Sequence, residues 1–295
     1  MGPMSPRHLL LVLAVTTIWG ISFVAIRWGV EEVSPLLLTA LRYTFAALPA
    51  VFFVKRPDVP LKLLIAYGLA IGVGQFGLLF VAIRLGMPAG LSSLVIQLQV
   101  FFTIFLAMLA FGERPRWPQI SGAAIALLGI LVIATERFQS AALIPLLMTV
   151  GAALCWGAGN TTSKAARKVD MLGFIVWSSL VPPLPLLALS MAFEGPGAIS
   201  AALAHISWRG IGSIAFMSYL ATLFGFGVWA KLLSLYPANV VAPFALFVPV
   251  AGIASAALLL GETITLPEIV GSALVFLGLL VNVFAGRVVG RLRRA

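Results

Sequence analysis

Two stretches of this chain, 149 residues apart, carry the same punctuation. Pro88-Ala89 returns as Pro237-Ala238, Gly112-Glu113 as Gly261-Glu262, Pro118 as Pro267, Gly122 as Gly271 and Gly129 as Gly278. Glycine and proline fix backbone geometry, so they are not the Leu and Val that any two apolar helices share by chance. The 295 residues are therefore read as one unit in two copies, residues 1–140 and 141–295.

Each copy is expected to lie in a membrane. The chain is 61% hydrophobic and 9% charged, where a soluble domain carries roughly 25% charged residues. A membrane span takes about 20 mostly apolar residues. Ten stretches qualify, near 8–27, 35–54, 61–84, 88–110, 117–135, 143–164, 171–192, 209–230, 238–260 and 266–285. The first is read as a retained helix rather than a cleaved leader, because it is long enough to span and more spans follow. Connectors are short, and only 193–208 has room for a small surface element. The expected fold class is an all-α integral membrane protein with ten transmembrane helices.

Ten spans in two copies make five per copy. An odd number sends the second copy into the membrane from the opposite side, so the repeats are inverted. Trp19-Gly20 with Arg27 corresponds to Trp156-Gly157 with Lys164, and by this topology the two basic residues face opposite sides. Of the 19 Lys and Arg, fourteen fall on the side that holds both termini, among them Lys55, Arg56, Arg114, Arg116, Arg167, Lys168 and the Arg287–Arg294 end. Four, namely Arg27, Arg84, Arg137 and Arg209, fall on the other side. That bias places both termini in the cytoplasm. It also explains the +10 net charge without a nucleic-acid partner, since the cations lie between apolar runs and form no continuous face. The expected partner is the lipid bilayer.

Polar groups within a span need a reason. Gln97 and Gln99 lie roughly 15 Å past Pro88 by helical rise, near the middle of an approximately 30 Å hydrocarbon core. About 200° apart on an α-helix, they are not expected to face one cavity together. Thr16, Trp19, Gly20 and Phe23 form one stripe, and Trp156, Asn160 and Lys164 another. Either stripe fits ordinary packing or the wall of a pocket for an amphipathic solute. Gln75 sits among Gly72, Gly74 and Gly77, and the eighth span answers with Tyr219, Gly225, Gly227 and Trp229. Arg42 is the charge placed clearly within a span. It either snorkels or braces neighbouring groups, or it attracts a carboxylate. Pro182, Pro183, Pro185, Pro243 and Pro249 predict kinks whose freed carbonyls meet neighbours or a cavity.

The absences narrow the chemistry. Asp58 and Asp170 are loop residues, and every Glu lies in a loop or at a span end. A pump built on a buried acidic relay is therefore not expected, and the solute is read as neutral, zwitterionic or anionic. Cys155 stands alone and His8 and His205 lie outside the spans, so no metal or other cofactor is expected. No catalytic Ser-His-Asp set, aspartyl pair or nucleotide-binding loop appears. An intramembrane enzyme is the disfavoured alternative; the chain is read as a non-enzyme.

Trp-Gly in the first and sixth helices and Gly-Glu before the fifth and tenth resemble the drug/metabolite transporter superfamily, EamA type. Phe52–Pro57, Gly86–Ser92, Phe101–Ile104, Phe111–Arg114, Val241–Pro243 and Val248–Leu260 extend the resemblance over nearly the whole chain, closest to members that export cysteine and O-acetylserine. The resemblance implies an inner-membrane, multi-pass exporter of small amino acids and metabolites. Its cavity would be lined by helices one, three, four, six, eight and nine. Trp19, Gln75, Gln97, Asn160, Tyr219 and Trp229 are the suited residues there, with Arg42 beside them for a zwitterion's carboxylate. Aromatic amino acids or purine-like metabolites are the alternative cargo on the same fold. The sequence does not distinguish a monomer from a homodimer.

Overall fold

The computed structural model describes residues 4–139, 142–166, 170–236 and 238–285. Pro237, Arg167, Lys168, the Arg287–Arg294 end and the boundary at 140/141 lie outside the described residues. Ten apolar helices follow one another: α1 (Pro6–Glu32), α2 (Pro35–Val51), α3 (Leu61–Arg84), α4 (Ala89–Phe111), α5 (Trp117–Gln139), α6 (Leu143–Ala165), α7 (Met171–Phe193), α8 (Trp208–Leu235), α9 (238–260) and α10 (266–285). Among the described residues nine are long enough to cross a membrane, and α2, at 17 residues, is the short one. A further helix, Gly197–His205, occupies the one long connector. Among the described residues there is no strand.

The polar ties at the helix ends obey the alternation that ten crossings require. On the side of the N-terminus, His8 Nδ1 and the Tyr236 hydroxyl are hydrogen bonded at 2.8 Å, joining the start of α1 to the end of α8. There too Trp177 Nε1 donates to Val54 O (2.9 Å), and Lys164 pairs with Glu113. On the opposite side the Glu32 carboxylate accepts from Ser207 N and Arg209, while Glu31 pairs with both Arg27 and Arg209.

The repeated punctuation acts at the helix ends and at the contact between copies. Gly112 and Gly261 both stop their helices with φ of 66°, a left-handed turn that glycine enters without a Cβ penalty. The glutamate after Gly261 reaches the far half of the molecule. Glu262 accepts from Ala89 N (2.7 Å) and Gly90 N (2.9 Å), placing a carboxylate on the positive end of α4. Glu194 does the same for α2 through Leu36 N and Leu37 N.

The recurring glycines then meet one another. A Cβ added to Gly122 would lie 2.6 Å from Gly278 O, and one on Gly129 2.5 Å from Gly271 O. Because Gly271 repeats Gly122 and Gly278 repeats Gly129, each contact is the other with the copies exchanged. That exchange is the mark of a two-fold relation between α5 and α10. It recurs where Gly20 packs on Ala251 and Gly157 on Phe102.

Among the described residues five stretches depart from α geometry; the π-helical Val281–Ala285 ends α10, and the other four come in matched pairs. Within α3 the segment Gly68–Phe76 is a π-helix, and within α8 Phe216–Phe224 is another, 148 residues on. Ile96–Leu98 in α4 and Ala242–Leu246 in α9 tighten into 3-10 turns. The prolines give the second member of that pair a cause, with Pro243 inside the turn and Pro249 just beyond it. α7 breaks after Ser178, before Pro182 and Pro183, where a kink was expected.

Candidate functional site

A cavity of about 290 Å³ lies between the two copies. It is lined from eight helices, all but α5 and α10, which make the glycine contact at the edge of the bundle. α2 and α7 join the six helices expected from sequence, α2 through Arg42 and α7 through Met171 and Ile175. Ser163, Met171 and Leu233 lie within two residues of helix ends on the N-terminal side, so the cavity reaches that face of the bundle. Toward the opposite face the lining ends near Ile26 and Leu79, below the Glu31–Glu32–Arg209 ties.

Six of the seven residues singled out from sequence border this one space: Trp19, Arg42, Gln75, Gln97, Asn160 and Trp229. Tyr219 does not. Its side chain is 43% exposed on the outer surface of α8, on a turn of π-helix where α-helical spacing misplaces a side chain. In the second stripe Trp156 and Asn160 line the cavity, whereas Lys164 turns to Glu113. Gly20 of the first stripe is a packing residue, and Thr16 bonds back to Val12 O and Leu13 O.

Gln97 and Gln99 both line the cavity, against the α-helical expectation. A 3-10 turn advances roughly 120° per residue, so residues two apart end about 120° from each other rather than about 160°. Each amide then has a distinct job. Pro249 has no N–H, so Ala245 O, four residues earlier, lacks its i+4 α-helical donor and is met from the backbone by Phe247 N. Gln97 Nε2 donates to that oxygen at 3.2 Å. Gln99 Oε1 accepts from Asn160 Nδ2 at 2.7 Å, and the same amide nitrogen also reaches Thr103 Oγ1 at 3.1 Å, tying α4 to α6.

The aromatic wall is built around Trp19. Its Nε1 donates to Ala221 O (2.9 Å) in the π-helical turn of α8, and its ring lies 5.2 Å from both Phe226 and Trp229. Gly225 makes room, since a Cβ there would fall 2.6 Å from Trp19 Nε1.

Arg42 faces this wall and does not snorkel. It is 4% exposed, with Nη2 donating to Thr222 Oγ1 (3.2 Å) and the guanidinium carbon 3.8 Å from the centre of the Phe76 ring. Ser218 Oγ donates to the Arg42 carbonyl (3.0 Å), fixing the residue to α8. Nε has no hydrogen-bond partner. Gln75, 3% exposed on the neighbouring π turn, leaves Oε1 without a donor. Among the described residues, Arg42 is the one charged side chain in the lining. No group of three or more His, Cys, Asp or Glu able to hold a metal occurs among them. Tyr67, Phe76, Phe226 and Ser163 also line the cavity. Sequence reasoning passed them over because each reads as an ordinary residue of an apolar or small-residue run.

Ten apolar helices, nine of them of membrane-spanning length among the described residues, in two inverted copies around a central cavity define a multi-pass membrane transporter, not an enzyme. The chain belongs to the EamA-like transporter family, whose model matches residues 7–135 and 143–284. It is 44% identical over 291 residues to a Salmonella typhimurium (strain LT2) protein named "Probable amino-acid metabolite efflux pump", covering 97% of each chain. An Escherichia coli (strain K12) protein of the same name is 41% identical over 290 residues, covering 96% of this chain and 97% of that one. A solved crystal structure superposes with a TM-score of 0.61 at 17% identity, over 93% of this chain and 95% of its own. That likeness bears on the fold alone.

Proposed function

We propose that this protein exports small amino acids and related metabolites across the inner membrane by alternating access, with cysteine and O-acetylserine as its cargo. The observation that carries the reading is a cavity between inverted repeats holding, among the described residues, one buried cation and no acid. A zwitterion complements it. Its carboxylate meets the Arg42 fork, and its ammonium has an acceptor in Gln75 Oε1. Trp19 and Gln97 contact the rest of the solute. The volume of about 290 Å³ sits at the small end of the roughly 300–1,000 Å³ typical of small-molecule sites. The names of the two bacterial relatives support the same substrate class.

The bias of basic residues supports cytoplasmic termini, so the cavity faces the cytoplasm, the loading side for an exporter. Rocking of one five-helix repeat against the other about the α5–α10 contact then exposes the site to the far side. The wall of Trp19, Phe226 and Trp229 favours a second cargo, aromatic amino acids or purine-like metabolites. Competition separates the two. Unlabelled cysteine and O-acetylserine are expected to displace labelled O-acetylserine transport in vesicles, while tryptophan and adenine leave it unchanged. The reverse order would transfer the assignment to the aromatic class.

A further inference from the structure

The guanidinium of Arg42 has a second face. Behind it lies a side cleft of about 20 Å³, bordered by Arg42, Tyr43, Tyr67, Ser178, Ser179 and Thr222. Arg42 and Tyr67 border both this cleft and the main cavity. The cleft is too small for an amino acid and has room for roughly one water-sized particle.

Hydrogen-bond accounting shows which donors that particle meets. The Ser178 hydroxyl donates to Phe174 O (2.6 Å), Ser179 to Ile175 O (2.7 Å) and Thr222 to Met217 O (2.8 Å). Their protons are committed to the backbone, and Thr222 also accepts from Arg42. The phenols of Tyr43 and Tyr67 are different: among the described residues neither makes a hydrogen bond to protein. Two O–H donors and an arginine with an unbonded Nε therefore surround one small space. The unbonded Arg42 Nε is a donor only, and each phenol has an uncommitted proton to give, although the hydroxyl oxygens also keep lone pairs.

The charge balance points the same way. Among the described residues no carboxylate lies within ion-pairing distance of Arg42; the ion pairs are at helix ends. Stacking on Phe76 and approach to Tyr43 (5.6 Å) and Phe80 (6.0 Å) provide ring quadrupoles but no opposite charge. A buried charge is retained where a counter-charge accompanies it. We infer that the side cleft is a halide site, in which one chloride-sized anion held by the Arg42 guanidinium and the Tyr43 and Tyr67 hydroxyls supplies that counter-charge. A water molecule fills the same space but leaves the positive charge uncompensated. A sulfate ion exceeds the cleft.

The test needs no transported solute, so its outcome is separate from that of the export reading. Purified protein in detergent is held at constant ionic strength in sodium sulfate, and sodium chloride or bromide replaces the sulfate stepwise while the thermal unfolding midpoint is recorded. The expected result is a saturable rise with either halide, absent in Arg42→Gln. In Tyr67→Phe, which keeps the ring packed at 4.9 Å on Phe174, the half-saturating concentration is expected to rise about tenfold for one lost charge-assisted hydrogen bond. Tyr43→Phe is expected to behave likewise, and these two variants decide the matter if Arg42→Gln does not fold. A flat halide titration of the unaltered protein, or a rise that persists undiminished in both phenylalanine variants, overturns the inference.

Discussion

Replacing Gly129 with alanine tests the close contact between the two copies. The added Cβ would lie 2.5 Å from Gly271 O, 2.8 Å from Val275 N and 2.9 Å from Val275 Cγ2. Two of those three atoms are backbone and cannot rotate away, so α5 and α10 must part by roughly an ångström to regain ordinary contact. Overpacking of this kind costs about 1–3 kcal/mol. Removing a glycine from a helix interior returns about 0.5–1 kcal/mol through the unfolded chain, so the net expectation is a loss of about 1–2 kcal/mol. Gly227→Ala is the matched control. Its Cβ would meet only Leu172 Cδ1, at 3.8 Å, and the propensity term alone predicts a gain of about 0.5–1 kcal/mol. Equilibrium unfolding of both variants in mixed micelles gives the comparison directly. Equal effects of the same sign would refute the reasoning, since the two substitutions differ in what the new methyl group meets.

Glu262→Gln keeps the shape of the cap but removes its charge from the Ala89 and Gly90 amides; unfolding is expected to show a loss of about 1–2 kcal/mol, and no change would deny the cap a role. Gln97→Ala takes from the Ala245 carbonyl, which lacks its i+4 donor, the side-chain bond at the cavity; export by correctly folded protein is expected to fall about tenfold, the worth of one well-placed hydrogen bond. Full-rate export would remove Gln97 from the site. Arg209→Ala cuts the ties to Glu31 and Glu32, pairs about half exposed on the arginine side and worth about 0.2–1 kcal/mol each. Its stability should barely move, whereas water-soluble thiol reagents added from the side opposite the N-terminus should reach a cysteine placed at Leu79 faster than in the parent; unchanged labelling would mean these ties do not hold that face shut.

The helices and their inversion were legible because they rest on counts and on residues with one backbone meaning. Ten apolar runs, an odd number per copy and paired Gly-Glu turns leave few topologies, and Gly112 and Gly261 indeed share one φ value. The proline reading also carried through to a particular bond, from Pro249 to the freed Ala245 carbonyl to Gln97. What the sequence hid was local helix geometry. Gln99 was placed by α-helical angles, yet it adjoins a 3-10 turn; Tyr219 was chosen by residue type within its helix, and it lies in a π-helix. Neither segment announces itself: Ile96–Leu98 contains no proline, and Phe216–Phe224 no glycine. The direction of Arg42 was equally hidden, because it depends on Ser218 and Thr222, far along the chain, holding its two ends.

Efflux from proteoliposomes tests the central claim most directly. Vesicles preloaded with labelled O-acetylserine or cysteine are followed with and without an imposed pH gradient, comparing the unaltered protein, Arg42→Gln and protein-free vesicles. The account predicts efflux above the protein-free level for both solutes. It also predicts that Arg42→Gln loses most of that efflux, and that a pH gradient has little effect because no acid among the described residues lines the cavity. Folded protein that moves neither solute, or that moves both at full rate without Arg42, would contradict it.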